Sequence, residues 1–515
     1  MTTSSNSSET AQPKTASKTL GPIELLPPKS KIVSTIGPAS ESVEMLEKLI
    51  KAGLRVARMN MSHGEYSEHE ARIKNVRQAS KNVKIPVAIL ADLQGPKIRT
   101  GKLENGEPLE LVNGETIRFV LSEELGNATC ITSPADALVG ELVEGTTLLI
   151  NDGALRLRID KEVSETECVC TILQGGPLSE RKGINLPDKK LKISALTEKD
   201  KQDALFAMAQ GVEYVAMSFV QSADDIRGLK SYLAENGYPV APSIVAKIEK
   251  PQALTDMDDI FNEASVVMVA RGDLGVELSP ERVPIVQKKL VQQGFEKGVP
   301  VIVATQMLES MTHSPTASRA EVSDVANAVF DGADALMLSG ETAVGEFPFE
   351  TITTMNSVIQ EAQAHQLSVQ HDSRQMRQPK TSLFHQSIAQ AASFISRKTE
   401  VKAIVVLSSS GGMATRVSKL RPSQPIIALT EREDVMRKMS LLWGVTPVLT
   451  RFGETTDATL NEAEAAILKQ KLLKVGDEVL FCSGNTPIMG MTNMIKFFTI
   501  GEAIRSATSL LAPNL

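Results

Sequence analysis

The sequence predicts an α/β protein: a closed (β/α)8 barrel, or TIM barrel, interrupted by an all-β insertion and followed by a doubly wound α/β domain. Three observations predict it. First, short β-branched runs end abruptly in polar residues. Ile244-Val245-Ala246 meets Lys247-Ile248-Glu249, and Val266–Ala270 meets Arg271-Gly272-Asp273. Val301–Ala304 meets Thr305-Gln306, and Ala335–Leu338 meets Ser339-Gly340-Glu341. Such runs read as buried strands. Charge at the end of a buried strand is costly unless it is paired or holds a ligand, and polar chemistry repeated at strand ends marks the active face of a parallel barrel. Second, strand and helix patterns alternate for about eight units. Third, the alternation breaks once, after the third strand, for a turn-rich stretch.

The elements follow in order. Lys31–Ile36 reads as a strand and Glu44–Lys51 as a helix; Arg55–Met61 and Val87–Ala91 are strands, separated by a charged helix over Glu68–Arg77. From about Gly101 to Asn185, Asn105-Gly106, Asn113-Gly114 and Asn151-Asp152-Gly153 separate short alternating strands, the pattern of a small β-barrel or sandwich. A helix over Glu198–Ala209 and a strand over Tyr214–Ser218 resume the alternation, and the four strands named above complete it. An open doubly wound sheet would carry a G-x-G-x-x-G or G-x-x-x-x-G-K-[ST] phosphate loop, and neither is present. Gln366–Lys380 is polar and reads as linker. A helix over Gln386–Ile395 and strands over Ala403–Leu407, Pro425–Leu429 and Glu478–Cys482 form the last domain. The expected boundaries are a flexible tail over 1–28, the barrel over 29–98 and 186–360, the β domain over 99–185, a linker over 361–380 and the last domain over 381–515.

Composition narrows the function. Of 515 residues, 42% are hydrophobic, enough for substantial cores, yet no apolar run approaches the ~20 residues of a membrane span. The net charge of −7 argues against nucleic acid as main partner. Four cysteines, Cys130, Cys168, Cys170 and Cys482, are sparse and point to a reduced, cytoplasmic setting. Cys168-x-Cys170 lacks a second Cys/His pair and reads as packing. The first residues are rich in Ser and Thr without an apolar core, so they read as a tail and not as a secretory signal; Glu9 and the lack of arginine weaken an organelle-targeting reading.

Lys247 and Glu249 lie two apart on one strand and face the same way. With Asp273 at the next strand end, two carboxylates can converge on a hard cation, and few carboxylates with open positions suit Mg²⁺. The glycines of Arg271-Gly272-Asp273-Leu274-Gly275 allow a tight anion-cradling turn, or an ordinary βα loop. Arg58, Asn60 and Ser62 share a face, with Arg58 suited to phosphate oxygens and His63 beside them. His365 and His371 read as surface residues, and the single Trp443 as packing. Ser408-Ser409-Ser410-Gly411-Gly412 precedes a helix over Met413–Leu420. The serines could cap it or bind phosphate.

Taken in order and spacing, seven segments resemble the pyruvate kinase family. They are Arg58-Met59-Asn60-Met61-Ser62-His63-Gly64, Asp92-Leu93-Gln94-Gly95-Pro96-Lys97-Ile98-Arg99, Lys182-Gly183-Ile184-Asn185-Leu186-Pro187, Ala246-Lys247-Ile248-Glu249, Ala270-Arg271-Gly272-Asp273-Leu274-Gly275, Ala304–Met311 and Met337-Leu338-Ser339-Gly340-Glu341-Thr342-Ala343. The resemblance covers about residues 30 to 515. It implies a catalytic barrel, a mobile β lid, a C-terminal regulatory domain, and phosphoryl transfer from phosphoenolpyruvate to ADP, giving pyruvate and ATP. It implies that Lys247 and Arg58 hold the moving phosphoryl group and that Glu249 and Asp273 ligate Mg²⁺ or Mn²⁺. Gly272, Asp273 and Thr305 would hold the substrate carboxylate, and the enol proton would come from water or a relay through Thr305, Ser339 and Glu341. Asn60, His63, Arg99 and Lys182 match nucleotide-side positions, the last two at the lid hinges.

Two departures stand out. Many members need K⁺ and read Asp-Thr-Lys-Gly-Pro-Glu where this chain reads Asp92-Leu93-Gln94-Gly95-Pro96-Lys97. The chain resembles the K⁺-independent branch, with the Lys97 ammonium replacing K⁺ near Asn60, Ser62 and Asp92. Val344 stands where many relatives carry lysine. Ser408, Ser409, Ser410, Gly411 and Thr415 match the position of a sugar-phosphate or AMP effector, and a homotetramer is the implied assembly. The competing readings are another phosphoenolpyruvate or pyruvate barrel, a lyase or aldolase, which has no reason to carry Arg99, Lys182 and a lid, and an inactive metabolite sensor, which would show erosion at Lys247, Arg58 or the carboxylates.

Overall fold

The computed structural model describes residues 28–187, 194–369, 384–484 and 493–501. The expected tail over 1–27, linker residues 370–380, His371 and the last domain's ends lie outside them.

Eight parallel strands, Lys31–Thr35, Leu54–Asn60, Ala88–Asp92, Tyr214–Met217, Ser243–Ile248, Val266–Ala270, Val301–Ala304 and Ala335–Leu338, pair in chain order. The first closes against the eighth, with Lys31 opposite Ala335. Alternate strand residues serve two cores. Ile32, Ala57, Ile89, Ala246 and Val267 pack outward under the helices, while Val33, Val56, Leu90, Val245 and Met268 fill the barrel. Both faces are therefore apolar, as buried parallel strands require. The helices start on side-chain caps: Ser42 accepts from the Met45 N–H, and Ser318 and Glu321 form a capping box. Leu441 of the C-terminal domain belongs to the barrel's inner cluster and stoppers its N-terminal end.

The insertion is a six-stranded and a two-stranded sheet over one core. Leu155, Leu157 and Ile159 point inward while Arg156 and Arg158 are exposed. Asn151, Asp152 and Gly153 turn with φ of +56°, +54° and +84°, the left-handed conformation that the Asn-Asp-Gly signal anticipates. Cys168 and Cys170 are fully buried in this core.

In the C-terminal domain Ala403–Leu407 lies at the centre of a five-stranded sheet, flanked by Ile426–Thr430 and Glu478–Ser483. Ile404 and Val406 feed one core and Ala403 and Val405 the other, so both faces are covered. The two edge strands, Val445–Leu449 and Met494–Thr499, escape the sequence pattern. One contains Pro447, tolerated only where a strand lies at an edge; the other is antiparallel and carries exposed Lys496 and Phe497.

Two expectations change. The linker does not begin at 361: helix Pro348–Val369 continues through its first nine residues. Residues 361–366 lack large apolar side chains but are mainly strong helix formers, and Gln363 is buried, accepting from the Lys29 N–H at 2.6 Å. The Gly272–Gly275 stretch is neither nest nor loop but a short helix, Arg271–Glu277, that starts directly from its strand.

Candidate active site

The inward parity of the strands decides what reaches the barrel mouth. Arg58 follows Val56, Asp92 follows Leu90 and Lys247 follows Val245, each two residues on. All three therefore leave the apolar interior pointing inward at its C-terminal end. There they assemble a network. Arg58 Nε donates to Asp92 Oδ2 at 2.6 Å, and its Nη1 to Thr35 Oγ1 at 2.8 Å. Lys247 Nζ donates to Ser218 Oγ at 2.6 Å and pairs with Glu249 Oε1 at 3.0 Å and Asp92 Oδ1 at 3.2 Å. Glu249 Oε2 accepts the Phe219 N–H at 2.7 Å.

The network is almost dry: the side chains of Asp92 and Glu249 are 1% exposed and those of Arg58 and Lys247 11%. Burial opposes every one of these charges. For Lys247, the attraction of Asp92 and then Glu249 outweighs it and holds the ammonium above the ordinary lysine value. For Asp92, Lys247 and Arg58 outweigh burial and hold the carboxyl below its ordinary value. Glu249 goes the other way: burial, assisted by the nearby charge of Asp273, raises it despite Lys247. A buried carboxyl that resists ionisation beside another carboxylate is a site for added positive charge. Among the described residues no group of three or more His, Cys, Asp or Glu could hold a metal ion. Glu249 and Asp273 lie close enough for the charge of Asp273 to act on the Glu249 carboxyl.

The insertion closes over this mouth. Its two connections run as an antiparallel ribbon in which Arg99 bridges Gly183 and Ile184 donates to Ile98. Arg99 Nη1 donates to the Arg181 carbonyl at 3.0 Å, and the Lys182 N–H to Thr100 Oγ1 at 2.9 Å. Arg99 and Lys182 therefore occupy the two facing connections between barrel and insertion. Asn185 donates to Glu277 Oε1 at 2.7 Å, and Lys250 also pairs with Glu277. A crevice between barrel and lid is lined by Lys97, Ile184, Asn185, Phe219, Lys250 and Asp273.

Lys97 lies in that crevice, 4.0 Å from Asp273 Oδ1. It makes no ion pair with Asp92, whose partners are Arg58 and Lys247. Asn60 and Ser62 do gather beside Asp92: Asn60 is its strand partner, and Asn60 Oδ1 accepts from the Ser62 N–H at 3.2 Å. His63 is exposed in the following turn, its carbonyl 2.9 Å from His69 Nε2.

Thr305 and Gln306 have φ of +70° and +53°. For a β-branched residue that is a strained backbone, held by its surroundings. Thr305 Oγ1 accepts from the Gly272 N–H at 2.8 Å and donates to the Ala304 carbonyl at 2.6 Å. Among the described residues no direct hydrogen bond joins this hydroxyl to Ser339 or Glu341. Glu341 is fully buried; its carboxylate accepts from the Ser339 N–H at 2.6 Å and the Leu308 N–H at 3.3 Å. It ties the loops after the seventh and eighth strands together, and burial raises its pKa.

In the C-terminal domain Ser408, Ser409, Ser410 and Gly411 precede helix Gly412–Lys419, Gly411 capping it at φ +86°. The Thr415 hydroxyl donates back to the Gly411 carbonyl at 3.0 Å. Trp443 is interdomain packing, sandwiched by Lys29 and Arg421 at 4.9 and 4.6 Å from its ring centre.

Sequence reasoning missed Thr35, Ser218 and Phe219, which hold Arg58, Lys247 and Glu249. Each is a residue at a strand end, but a lone Ser or Phe there carries no charge signal. It also gave no role to Arg271, which donates to the Ala304 and Thr305 carbonyls and pairs with Asp324, fixing the strained turn.

Comparison with known proteins agrees with this fold. The family model "Pyruvate kinase, barrel domain" matches residues 27–352, and "Pyruvate kinase, alpha/beta domain" matches residues 386–498. The pyruvate kinase of Sporosarcina psychrophila is 40% identical over 479 residues, covering 92% of this chain and 81% of that protein. That of Staphylococcus saprophyticus is 41% identical over 483 residues, with the same coverage. The crystal structure of a pyruvate kinase from Cryptosporidium parvum superposes with a TM-score of 0.83 at 35% identity, covering 92% of this chain and 96% of that one. No described helix is long and apolar enough to cross a membrane. The chain belongs to the pyruvate kinase family, the phosphotransferases that form pyruvate and ATP from phosphoenolpyruvate and ADP.

Proposed function

We propose that the Arg58–Asp92–Lys247–Glu249 network is the phosphoryl-transfer centre of this enzyme. Its carrying observation is a dry cluster of two cations and two carboxylates at the mouth, with Lys247 kept charged by its neighbours. The phosphoryl group leaves the enol oxygen of phosphoenolpyruvate, which keeps the bonding electrons, and is taken by a terminal oxygen of ADP. Charge spreads over its oxygens in transit, so preorganised cations aimed at it are the main catalytic device. Lys247 and Arg58 supply them. Glu249 and Asp273 would hold Mg²⁺ or Mn²⁺, which when bound adds positive charge against phosphate oxygens of both substrates. The substrate carboxylate lies against Gly272, Asp273 and Thr305, and the enolate takes its proton from water held near Thr305. Asn60, His63, Arg99 and Lys182 face the nucleotide, and the lid excludes water as it closes.

The test is Lys247→Met, assayed for pyruvate formation with saturating Mg²⁺. The expected outcome is a kcat lower by about 10²–10³-fold in a protein that unfolds normally. A folded variant within about threefold of the parent rate would remove Lys247 from the chemistry.

Lys97 accounts for independence from K⁺ in this reading. It carries its charge into the crevice that a monovalent cation would otherwise make positive, acting beside Asp273. Turnover in a buffer free of monovalent metal ions should equal turnover with K⁺, and Lys97→Glu together with Leu93→Thr and Gln94→Lys should create a K⁺ requirement. An unchanged K⁺ response in that triple variant would sink this account. Ser408–Ser410, Gly411 and Thr415 are the place for an activating sugar-phosphate or AMP, and the assembly is a homotetramer.

A further inference from the structure

The turn over residues 60–64, at the end of the second strand, bears Asn60 and His63, and its backbone is held from outside the reacting centre. Its N–H groups find acceptors close by: Met61 donates to the Asp92 carbonyl, Ser62 to Asn60 Oδ1 and His63 to the Asn60 carbonyl. Two of its carbonyls are met by side chains of the flanking helices. His69 Nε2, from helix Tyr66–Val83, lies 2.9 Å from the His63 carbonyl. A carbonyl only accepts, so the ring proton sits on Nε2. Lys199 Nζ, from helix Glu198–Ala209, donates to the Met61 carbonyl at 2.7 Å.

Lys199 is half-exposed, yet its ammonium pairs at 2.6 Å with Asp203, whose carboxylate is fully buried. The other oxygen of Asp203 accepts from the Tyr66 hydroxyl at 2.7 Å. Tyr66 opens the helix that follows the turn, and its ring stacks on Phe206 with 4.6 Å between centres. Asp203 therefore fixes both the ammonium and the helix beyond the turn. An exposed i,i+4 ion pair contributes little. Here the carboxylate is buried and shared, and the ammonium spends a charge-assisted bond on a backbone carbonyl, so the pair holds a geometry. The same helix start reaches the loop after the third strand. Asp200, fully buried, accepts the Gly95 N–H at 2.9 Å while closing a capping box with Thr197. One helix start, the first after the insertion, thus holds the loops on both sides of Asp92. Among the described residues neither Lys199 nor Asp203 bonds to Arg58, Asp92, Lys247 or Glu249.

We propose that Lys199 is a positioning residue for the nucleotide: held by Asp203 and Tyr66, it fixes the Met61 carbonyl and with it the orientation in which Asn60 and His63 meet ADP. This rests on the reading of Asn60 and His63 as nucleotide residues. Lys199 itself touches no reacting atom. A turn already ordered loses no further freedom when its ligand arrives, and releasing it weakens binding of that ligand alone. Phosphoenolpyruvate lies elsewhere, against Lys247, Gly272 and Thr305, so its binding is spared.

The experiment is steady-state pyruvate formation by the full chain with saturating Mg²⁺, varying ADP and phosphoenolpyruvate separately. Lys199→Met should raise KM for ADP about three- to tenfold, with kcat and KM for phosphoenolpyruvate within about twofold of the parent. Lys199→Arg, which can donate to both the Met61 carbonyl and Asp203, should bring KM for ADP back to within about twofold. Tyr66→Phe removes one hydroxyl from Asp203; it should raise KM for ADP in the same direction and serves if Lys199→Met fails to fold. Asn60→Ala and His63→Ala, run in parallel, test the underlying reading: if neither raises KM for ADP, that reading fails and this proposal with it. If either does while Lys199→Met and Tyr66→Phe do not, the proposal alone is overturned. It is overturned as well if Lys199→Met raises both KM values alike, or if the arginine variant is as weak as the methionine variant, because Lys199 is then structural only.

Discussion

Lys247 shows how a residue's surroundings set its chemistry. Burial alone would strip its proton, yet Asp92 and Glu249 keep it charged. Asp92→Asn removes the stronger of those two attractions, so burial gains ground and the folded-state pKa falls. Protonation is then lost at a lower pH. An alkaline limb of kcat/KM should therefore enter the range of about pH 7 to pH 10 in Asp92→Asn, a range in which the parent's Lys247 stays charged. A variant with no such limb would mean that Asp92 orients Lys247 without governing its charge. Lys247 and Glu249 were legible in the sequence, because charges at the ends of apolar runs have few explanations, whereas Asp92 entered only through the family resemblance. The supports of Lys247 and Glu249 were not legible. Ser218 and Phe219 act through one hydroxyl and one backbone N–H, and nothing in their identity announces that.

At the level of elements, strand parity does the positioning and loop ties do the holding. Glu341 is the clearest tie, a buried carboxylate accepting N–H groups from two successive barrel loops. In Glu341→Gln one of those N–H groups faces an amide NH₂. A buried donor left without an acceptor costs about 1–3 kcal/mol, so thermal unfolding should shift down by several degrees, roughly 2–4 °C per kcal/mol. A variant as stable as the parent would show that the tie is replaceable. The family resemblance implied water or a relay that includes Glu341 as the source of the enol proton. Only the fold shows that Glu341 turns into the protein. The helix Arg271–Glu277 was hidden for a related reason: glycines at 272 and 275 disfavour helix locally, and contacts from Lys97, Asn185 and Lys250 stabilise it from outside.

Across the whole molecule, the barrel and the C-terminal domain are joined by buried charge. Asp334 precedes the eighth strand, and Lys419 and Arg421, whose attraction outweighs burial, hold its carboxyl below the ordinary value. Asp334 Oδ2 also accepts from the Val301 N–H at 2.8 Å. Asp334→Ala strands two buried cations and that N–H, at a cost of about 3–5 kcal/mol. Calorimetry should show the parent's interdomain cooperativity weakened, with the C-terminal domain unfolding ahead of the barrel. A single transition at the parent's temperature would show that Leu441 in the barrel's base and Trp443 suffice to join the domains.

The sequence by itself determined the fold class, the place of the insertion, and which strand ends carry polar and charged side chains. These properties depend on the period and sign of residues close together in the chain. The tertiary structure decided which strand ends meet, that Lys97 faces Asp273 and not Asp92, and that Glu341 is a tie. Arg58 and Lys247 share Asp92 across some 190 residues of chain. Separations of that size are closed by barrel geometry, which a local pattern cannot carry.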